Sequence, residues 1–381
     1  MKIAILTQPL RTNYGGILQA YALQSVLQRM GHEVVVVNRE YQDYPNIKLL
    51  CLRIGAVIKS AVRRYILGRK EYIVMNPFSS LFRTRWIGYV VLPFVRQRIC
   101  QSPELRNSAS MRRYFAKQKF DCYIVGSDQV WRPCYSPCIT DFFLGSMPEN
   151  SKAKRIAYAA SFGTDKWEMT LTETKECATL AGRFDAISVR EASGVDLCKQ
   201  YLGVNAVHLL DPTLLLDAKD YINLLNETDI HKGSGNLFCY ILDSSAEVKK
   251  IIRLLEGEGM SLLDANMDMV SYTSSHTQLS VEEWLLGLYN ADFVITDSFH
   301  ASVFAILFKK PFLVYGNNVR GMTRVKSLLN IFGLQNRLIT SVLEFEQRRK
   351  SLFESIDSNN LDLVLKEWKD KSYHFLKEYL Q

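Results

Sequence analysis

A chain of 381 residues with 48% apolar and 23% charged side chains has material for a substantial core, which excludes wholesale disorder, and is long enough to divide into two domains. No apolar run approaches the roughly 18 to 20 residues that a membrane-spanning helix needs, and the N-terminus enters the strand-like Lys2–Leu6 without a signal-peptide pattern, so a cytoplasmic location is expected. The eight cysteines are scattered and fit a reducing compartment, and Cys134 and Cys138 form a Cys-x3-Cys with no second ligand pair, so no metal is expected.

In chain order, an apolar run over residues 3–7 leads to the loop Asn13-Tyr14-Gly15-Gly16, after which apolar residues recur at helical spacing from Ile17 to Leu27. Gly31 ends that helix, and Glu33 to Asn38 reads as a buried parallel strand, which completes a βαβ unit. The loop lacks the full Gly-x-Gly-x-x-Gly spacing, so it fits a sugar or an anion better than a dinucleotide. From Lys48 to Arg113 the chain then carries fourteen Lys and Arg against Glu71 and Glu104, so the net charge of +8 is concentrated there. The spacing predicts a basic helical insertion over about residues 45–115. It suits an anionic membrane surface or a phosphorylated acceptor, or is a plain solvated face. No nucleic-acid-binding motif accompanies the charge, and no nucleic-acid partner is expected.

Three further strands end on polar residues: Asp121–Val125 before Gly126-Ser127-Asp128-Gln129-Val130-Trp131, Arg155–Ala160 before Ser161-Phe162-Gly163, and Ala186–Val189 before Arg190-Glu191. In a parallel sheet the ligand crevice lies beyond the carboxyl ends of the strands, so these polar ends should share one cleft. Val207–Leu210 leads to Asp211-Pro212-Thr213. A second set follows: a strand over Leu237–Leu242, helices over Ala246–Glu256 and Val281–Tyr289, a strand over Phe293–Thr296 that ends at Asp297-Ser298-Phe299-His300, a helix over Ala301–Phe308, and a strand over Pro311–Val314. The expected fold is α/β, with two Rossmann-like domains around a cleft. An N-terminal domain over 1–205 carries the insertion, a C-terminal domain covers 206–355, and an amphipathic helix at 356–381 packs rather than acts.

His300 stands at a strand-to-helix junction, where helix amides favour anions, so it is a candidate for catalysis and for donor binding; the alternative is a helix-capping structural histidine. Arg190, at a strand end, and Arg320, in the loop after the next strand of the second set, are candidates for an anionic ligand, because a planar guanidinium donates two parallel hydrogen bonds to a carboxylate or phosphate. An ion pair with Glu191 is the alternative for Arg190, and a solvated surface position for Arg320. Asp128 and Asp297 are candidates to bind acceptor hydroxyls or act as base, with a helix cap as the other reading for Asp297.

Taken as a set, Asn13-Tyr14-Gly15-Gly16, Gly126-Ser127-Asp128-Gln129-Val130-Trp131, Ser188-Val189-Arg190-Glu191, Asp211-Pro212-Thr213 and Ser298-Phe299-His300 followed by Lys310-Pro311-Phe312 resemble the polysaccharide pyruvyl transferase family. The resemblance implies a fold similar to two-domain GT-B glycosyltransferases. It also implies phosphoenolpyruvate as co-substrate, a sugar or glycan acceptor that is lipid- or nucleotide-linked, and a cyclic pyruvate ketal as product, with no cofactor. It places the family's strand-end arginine on Arg190, its histidine on His300 and its later lysine on Arg320, and it makes Asn13, Tyr14, Gly15, Gly16, Gln129 and Trp131 acceptor or loop residues. Where many members carry an arginine two positions before the histidine, this chain has Ser298, so Ser298 enters the donor set and one anion contact is either missing or supplied by Arg324 or Lys309. A GT-B glycosyltransferase using a nucleotide sugar, and a non-catalytic membrane-surface component of capsule assembly, are the competing readings.

Overall fold

The computed structural model of the protein describes residues 1–41, 90–148, 150–225, 236–265, 279–316 and 322–381. Two parallel sheets carry the fold. The first is formed by β1 (Lys2–Leu6), β2 (Glu33–Val36), β3 (Cys122–Val125), β4 (Lys154–Ala160), β5 (Ala186–Val189) and β6 (Val207–His208), in the order β2-β1-β3-β4-β5-β6. The second is formed by β7 (Asn236–Tyr240), β8 (Ser261–Asp264), β9 (Phe293–Thr296), β10 (Phe312–Tyr315) and β11 (Leu338–Ile339), in the order β11-β10-β9-β7-β8. The central strands β3, β9 and β10 are buried throughout, as unbroken apolar runs covered on both faces must be.

Each sheet reverses its winding direction once, between β1 and β3 in the first and between β7 and β9 in the second. The crevice of an open parallel sheet lies outside the carboxyl ends at such a reversal. Those ends are Leu6 paired with Val125, and Tyr240 paired with Thr296. The segments Gly126-Ser127-Asp128 and Asp297-Ser298-Phe299-His300 therefore leave the two sheets at their switch points.

The helices that position the site are α1 (Tyr14–Arg29), α2 (Ala192–Leu197), α3 (Val281–Asn290), α4 (Phe299–Leu307), α5 (Thr323–Ile331) and α6 (Ser358–Tyr379). Helix α1 is buried from Tyr14 to Ala20 and α4 along its whole length, because each is wedged between the halves. Tyr14 enters the second half outright: its ring stacks on Trp284 of α3 at 5.1 Å, and its hydroxyl donates to the Leu279 carbonyl at 2.6 Å. One hydrophobic cluster consequently runs through both halves, joining Ile17 and Leu18 of α1 to Trp284, Phe304 and Ile306.

The first sheet extends past residue 205, since β6 pairs with β5 at Ser188–Val207 and Val189–His208. Helix α4 starts at Phe299, ahead of the Ala301 that its apolar spacing predicts, because Ser298 is the cap. Helix α6 returns to the first half, where Phe375 meets the Tyr158 ring at 6.2 Å and the Ser372 hydroxyl accepts the Leu210 amide at 3.3 Å. Of the basic insertion, residues 48–89 lie outside the described residues; Arg96, Arg98, Arg106, Arg112 and Arg113 are exposed.

Candidate active site

Arg190 leaves the end of β5 and is buried. Its Nη1 donates to Asp211 Oδ2 at 2.7 Å, its Nη2 lies 3.4 Å from Asp128 Oδ1, and its plane stands 4.4 Å from the centre of the Phe299 ring. Asp211 is the hub. Besides Arg190 it accepts from the Ser127 hydroxyl at 3.2 Å and from the Thr213 amide and hydroxyl at 3.0 and 2.6 Å. Burial alone would disfavour its ionisation, but His300, Arg190 and Thr213 outweigh burial and hold the carboxyl well below the usual carboxylate range. Asp211 is therefore ionised at neutral pH.

His300, the second residue of α4, faces Asp211 with Nε2 at 3.6 Å from Oδ2, ion-pair range but too long for a hydrogen bond. The segment read from sequence as the loop Asn13-Tyr14-Gly15-Gly16 is instead the cap and first turn of α1, which starts at Tyr14, and it explains how the other half reaches the imidazole. A Cβ on Gly15 would stand 1.9 Å from His300 Nδ1, so only glycine lets α1 press against that imidazole. A Cβ on Gly16 would lie 3.3 Å from both Asn13 Nδ2 and Asp128 Oδ2, which are 3.5 Å apart. Asn13, Gly15, Gly16, Asp128, Arg190 and His300, read from distant parts of the sequence, thus converge on Asp211.

Two further charged residues complete the cluster. Glu191 is buried beside Arg190, with Arg190 Nε 4.0 Å from its Oε1, which also accepts from the Ser161 hydroxyl. Burial outweighs Arg190, Ser161 and Arg324 and pushes the Glu191 carboxyl above its ordinary value. Arg324 lies in the first turn of α5, which docks through Ser327, one turn on, whose hydroxyl accepts the Ala192 amide at 3.1 Å. Burial first, then the like charge of Arg190, pulls the Arg324 guanidinium down to about 10, against the opposing influence of Asp128 and Glu191. A cation near a helix N-terminus also opposes the helix dipole, so its position is unfavourable on three counts until an anion joins it.

Five atoms around this cluster are sealed from solvent with no hydrogen-bond partner among the described residues: Arg190 Nε, Glu191 Oε2, Ser193 Oγ, His300 Nε2 and Arg324 Nε. An unmet buried polar group costs about 1–3 kcal/mol, more when charged. Such a concentration in one place marks a site built to meet a polar ligand.

Other sequence candidates fall elsewhere. Trp131 is core: it stacks on Phe143 at 4.8 Å, donates its indole N–H to the Phe142 carbonyl, and offers no face to an acceptor. Tyr14 is the interdomain peg described above rather than a loop ligand. Gln129 is half-buried and its side-chain oxygen accepts from Arg132 at 3.2 Å. Ser298 caps α4, its hydroxyl 3.5 Å from the Ala301 amide. The Asp297 carboxylate accepts the Leu242 and Asp243 amides at 2.7 and 2.9 Å, which ties the end of β9 to the loop after β7; the carboxylate facing His300 is Asp211. Arg320 lies outside the described residues. Lys309 forms an exposed pair with Asp362 at 2.7 Å, which leaves Arg324 as the second guanidinium of the cluster. Sequence reasoning missed Asp211 and Glu191 as site residues although both stand in the quoted motifs. Their signal was a carboxylate directly after a strand or beside a strand-end arginine.

Fold and site together define a two-domain α/β protein of GT-B architecture, with a guanidinium- and imidazole-bearing site where the strand ends of both sheets meet. The sequence profile described as Polysaccharide pyruvyl transferase matches residues 13–319, and the chain belongs to that family. No curated protein sequence matches it. Among solved structures, a glycosyltransferase from Rickettsia africae aligns with a TM-score of 0.53 at 10% identity over 100% of this chain and 98% of its own. The UDP-GlcNAc 2-epimerase of Neisseria meningitidis, bound to UDP-GlcNAc, aligns with a TM-score of 0.53 at 12% identity over 99% of this chain and 100% of its own. The Methanocaldococcus jannaschii UDP-GlcNAc 2-epimerase gives 0.51 at 12% identity, covering 94% of each chain. At these identities the likeness is one of fold.

Proposed function

We propose that this protein transfers the enolpyruvyl-derived unit of phosphoenolpyruvate to two hydroxyls of one sugar in a polysaccharide, or in its lipid- or nucleotide-linked precursor, forming a cyclic pyruvate ketal and releasing phosphate. The observation that carries the reading is the meeting of one buried guanidinium, one half-buried guanidinium and a buried imidazole, each with a nitrogen sealed from solvent and unpartnered among the described residues, within a chain of this family. Phosphoenolpyruvate presents a carboxylate and a phosphate a few bonds apart, which two planar forks can grip.

The enol phosphate is inert until its methylene carbon gains a proton, which leaves positive charge on the carbon bearing phosphate. One sugar hydroxyl then attacks that carbon, phosphate departs, and the second hydroxyl closes the ring. In this reading Arg190 and Arg324 hold the donor, with Arg320 from the adjoining loop. Asp128, near Asn13 at the rim, receives a proton from the attacking hydroxyl. His300, at the N-terminus of α4, acts as general acid or as a ligand of the departing phosphate. A lipid-linked acceptor would bring the exposed arginines of residues 90–113, with the basic stretch before them, to the cytoplasmic face of the membrane.

The test is release of inorganic phosphate from labelled phosphoenolpyruvate, screened against lipid-linked and nucleotide-linked galactose, mannose and N-acetylhexosamine. Acceptor-dependent phosphate release is expected. Release of a nucleotide from a nucleotide sugar, with phosphoenolpyruvate left intact, would overturn the proposal.

A further inference from the structure

Two carboxyl groups flank Arg190, and their surroundings differ. Asp211 is saturated, with Arg190, Ser127 and both groups of Thr213 on its oxygens. Glu191 receives the Ser161 hydroxyl on Oε1, and its Oε2 is sealed from solvent with no hydrogen-bond partner among the described residues. A bare carboxylate oxygen in a dry site is costly, whereas a carboxylic acid carrying its proton on that oxygen is a neutral donor. We propose that Glu191 is the acid of the transfer reaction, giving its Oε2 proton to the methylene carbon of the donor. This rests on the pyruvyl-transfer reading above.

The environments push the two groups apart in the way that assigns acid and base roles in paired-carboxyl sites, Asp211 towards its ionised form and Glu191 towards its protonated one. The charged and titratable groups bearing on Glu191 are Arg190, Arg324 and the Cys198 thiol, which burial and Glu191 push up to about 12; Asp128 and Asp211 act on it through Arg190. His300 is then free to bind the departing phosphate at the amino end of α4.

The step balances. The Glu191 proton forms the third C–H bond of the new methyl group, and the electron pair of the C=C bond supplies that bond. The first sugar hydroxyl adds to the resulting cation and its proton passes to Asp128; after product release Asp128 gives that proton up to solvent and Glu191 regains one from it. The C–O bond to phosphate breaks with its electron pair on oxygen, the second hydroxyl takes its place, and that hydroxyl's proton leaves on phosphate.

The decisive experiment compares the wild type, Glu191→Gln and Ser161→Ala in phosphate release at saturating donor and acceptor across pH, with donor affinity measured separately by calorimetry. A positioned acid contributes about 100- to 10,000-fold, so Glu191→Gln should lose that factor in kcat while binding phosphoenolpyruvate within about threefold of wild type. An acid must be protonated to act, so wild-type kcat should be high below the Glu191 pKa and fall as pH rises through it. That limb should be missing from Glu191→Gln. Ser161 stabilises the ionised form, so Ser161→Ala should move the limb to higher pH. Should Glu191→Gln fail to fold, the direction of the Ser161→Ala shift decides, and an unmoved limb overturns the proposal, as does a folded Glu191→Gln variant with near-normal kcat. Infrared titration of the resting protein separates this from the parent reading. A carboxylic-acid band present at neutral pH and lost in Glu191→Gln or raised by Ser161→Ala in its titration sustains the proton assignment without turnover, and its absence sinks it.

Discussion

Among the described residues of the first half, two buried arginines pair with aspartates, Arg39 with Asp141 and Arg190 with Asp211 and Asp128, and they are finished differently. Arg39 Nε donates to Asp141 Oδ2 at 2.9 Å, Ser108 donates to the same oxygen at 3.0 Å, Ser146 donates to Oδ1 at 2.5 Å, and Arg39 Nη1 reaches the Glu40 carbonyl. Among the described residues, neither has a sealed side-chain atom left without a partner. Arg190–Asp211 is as deeply buried, yet Arg190 Nε is unmet, and unmet atoms of Glu191, Ser193, His300 and Arg324 surround it. The first pair fastens the residues after β2 to the segment after β3. The second leaves hydrogen-bonding capacity over, which reduces stability unless a ligand uses it, and such local inconsistency belongs to functional sites.

The largest expected effect separates the clusters by activity. His300→Ala should reduce kcat for phosphate release by about 100- to 10,000-fold while circular dichroism stays native. Near-normal turnover would remove the imidazole from the chemistry and leave it a packing residue against Gly15. Asp141→Ala should act in the opposite sense. Stripping one partner from a fully buried pair costs about 3–5 kcal/mol, so the urea midpoint should fall steeply while the folded fraction binds phosphoenolpyruvate as the wild type does. A loss of donor affinity without a loss of stability would mean that the two clusters are coupled.

The division between what the sequence revealed and what it hid follows the same line. β5 and β9 occur at the residues that the apolar runs predict, because a strand buried on both faces needs continuous apolar sequence. Helix α1 was legible from its periodicity beyond Ile17, while its first turn, Tyr14-Gly15-Gly16, was read as loop. The purpose of Gly15 was not legible, since it depends on an imidazole from residue 300 that only tertiary packing brings near. Arg190 and His300 stood out as polar residues at strand ends. Asp211, three residues past β6, stood before a proline and drew no site reading. Trp131 shared a motif with Asp128, yet a side chain two or three residues from a site residue points wherever the local turn sends it, here into the core.

A smaller effect probes the contact between α1 and α4. Gly15→Ala places a methyl within 1.9 Å of His300 Nδ1, and the ring or the helix must move. Overpacking of this kind costs about 1–3 kcal/mol. Because the imidazole is the nearest group, turnover should fall with little change in donor affinity; the double variant Gly15→Ala/His300→Ala should recover the lost stability. Failure of the second substitution to restore the urea midpoint would show that the strain falls on α1 itself.

The smallest expected change in stability is also the sharpest test of the contrast, because its sign differs from that of Asp141→Ala. Arg324 places a guanidinium beside Arg190 near the amino end of α5, with Nε sealed and unpartnered. Replacing an unsatisfied buried charge with an apolar side chain of similar length removes that cost, so Arg324→Met should leave the urea midpoint unchanged or raise it by up to about 1 kcal/mol. The same change removes one grip on a doubly anionic donor and should weaken phosphoenolpyruvate binding by at least about tenfold, since a charge-assisted hydrogen bond is worth roughly 1.5–3 kcal/mol. Arg324 also opposes the upward push on Glu191, so the alkaline limb of kcat should move to higher pH in the variant. A variant that is less stable and binds the donor normally would place Arg324 with Arg39, as part of the framework.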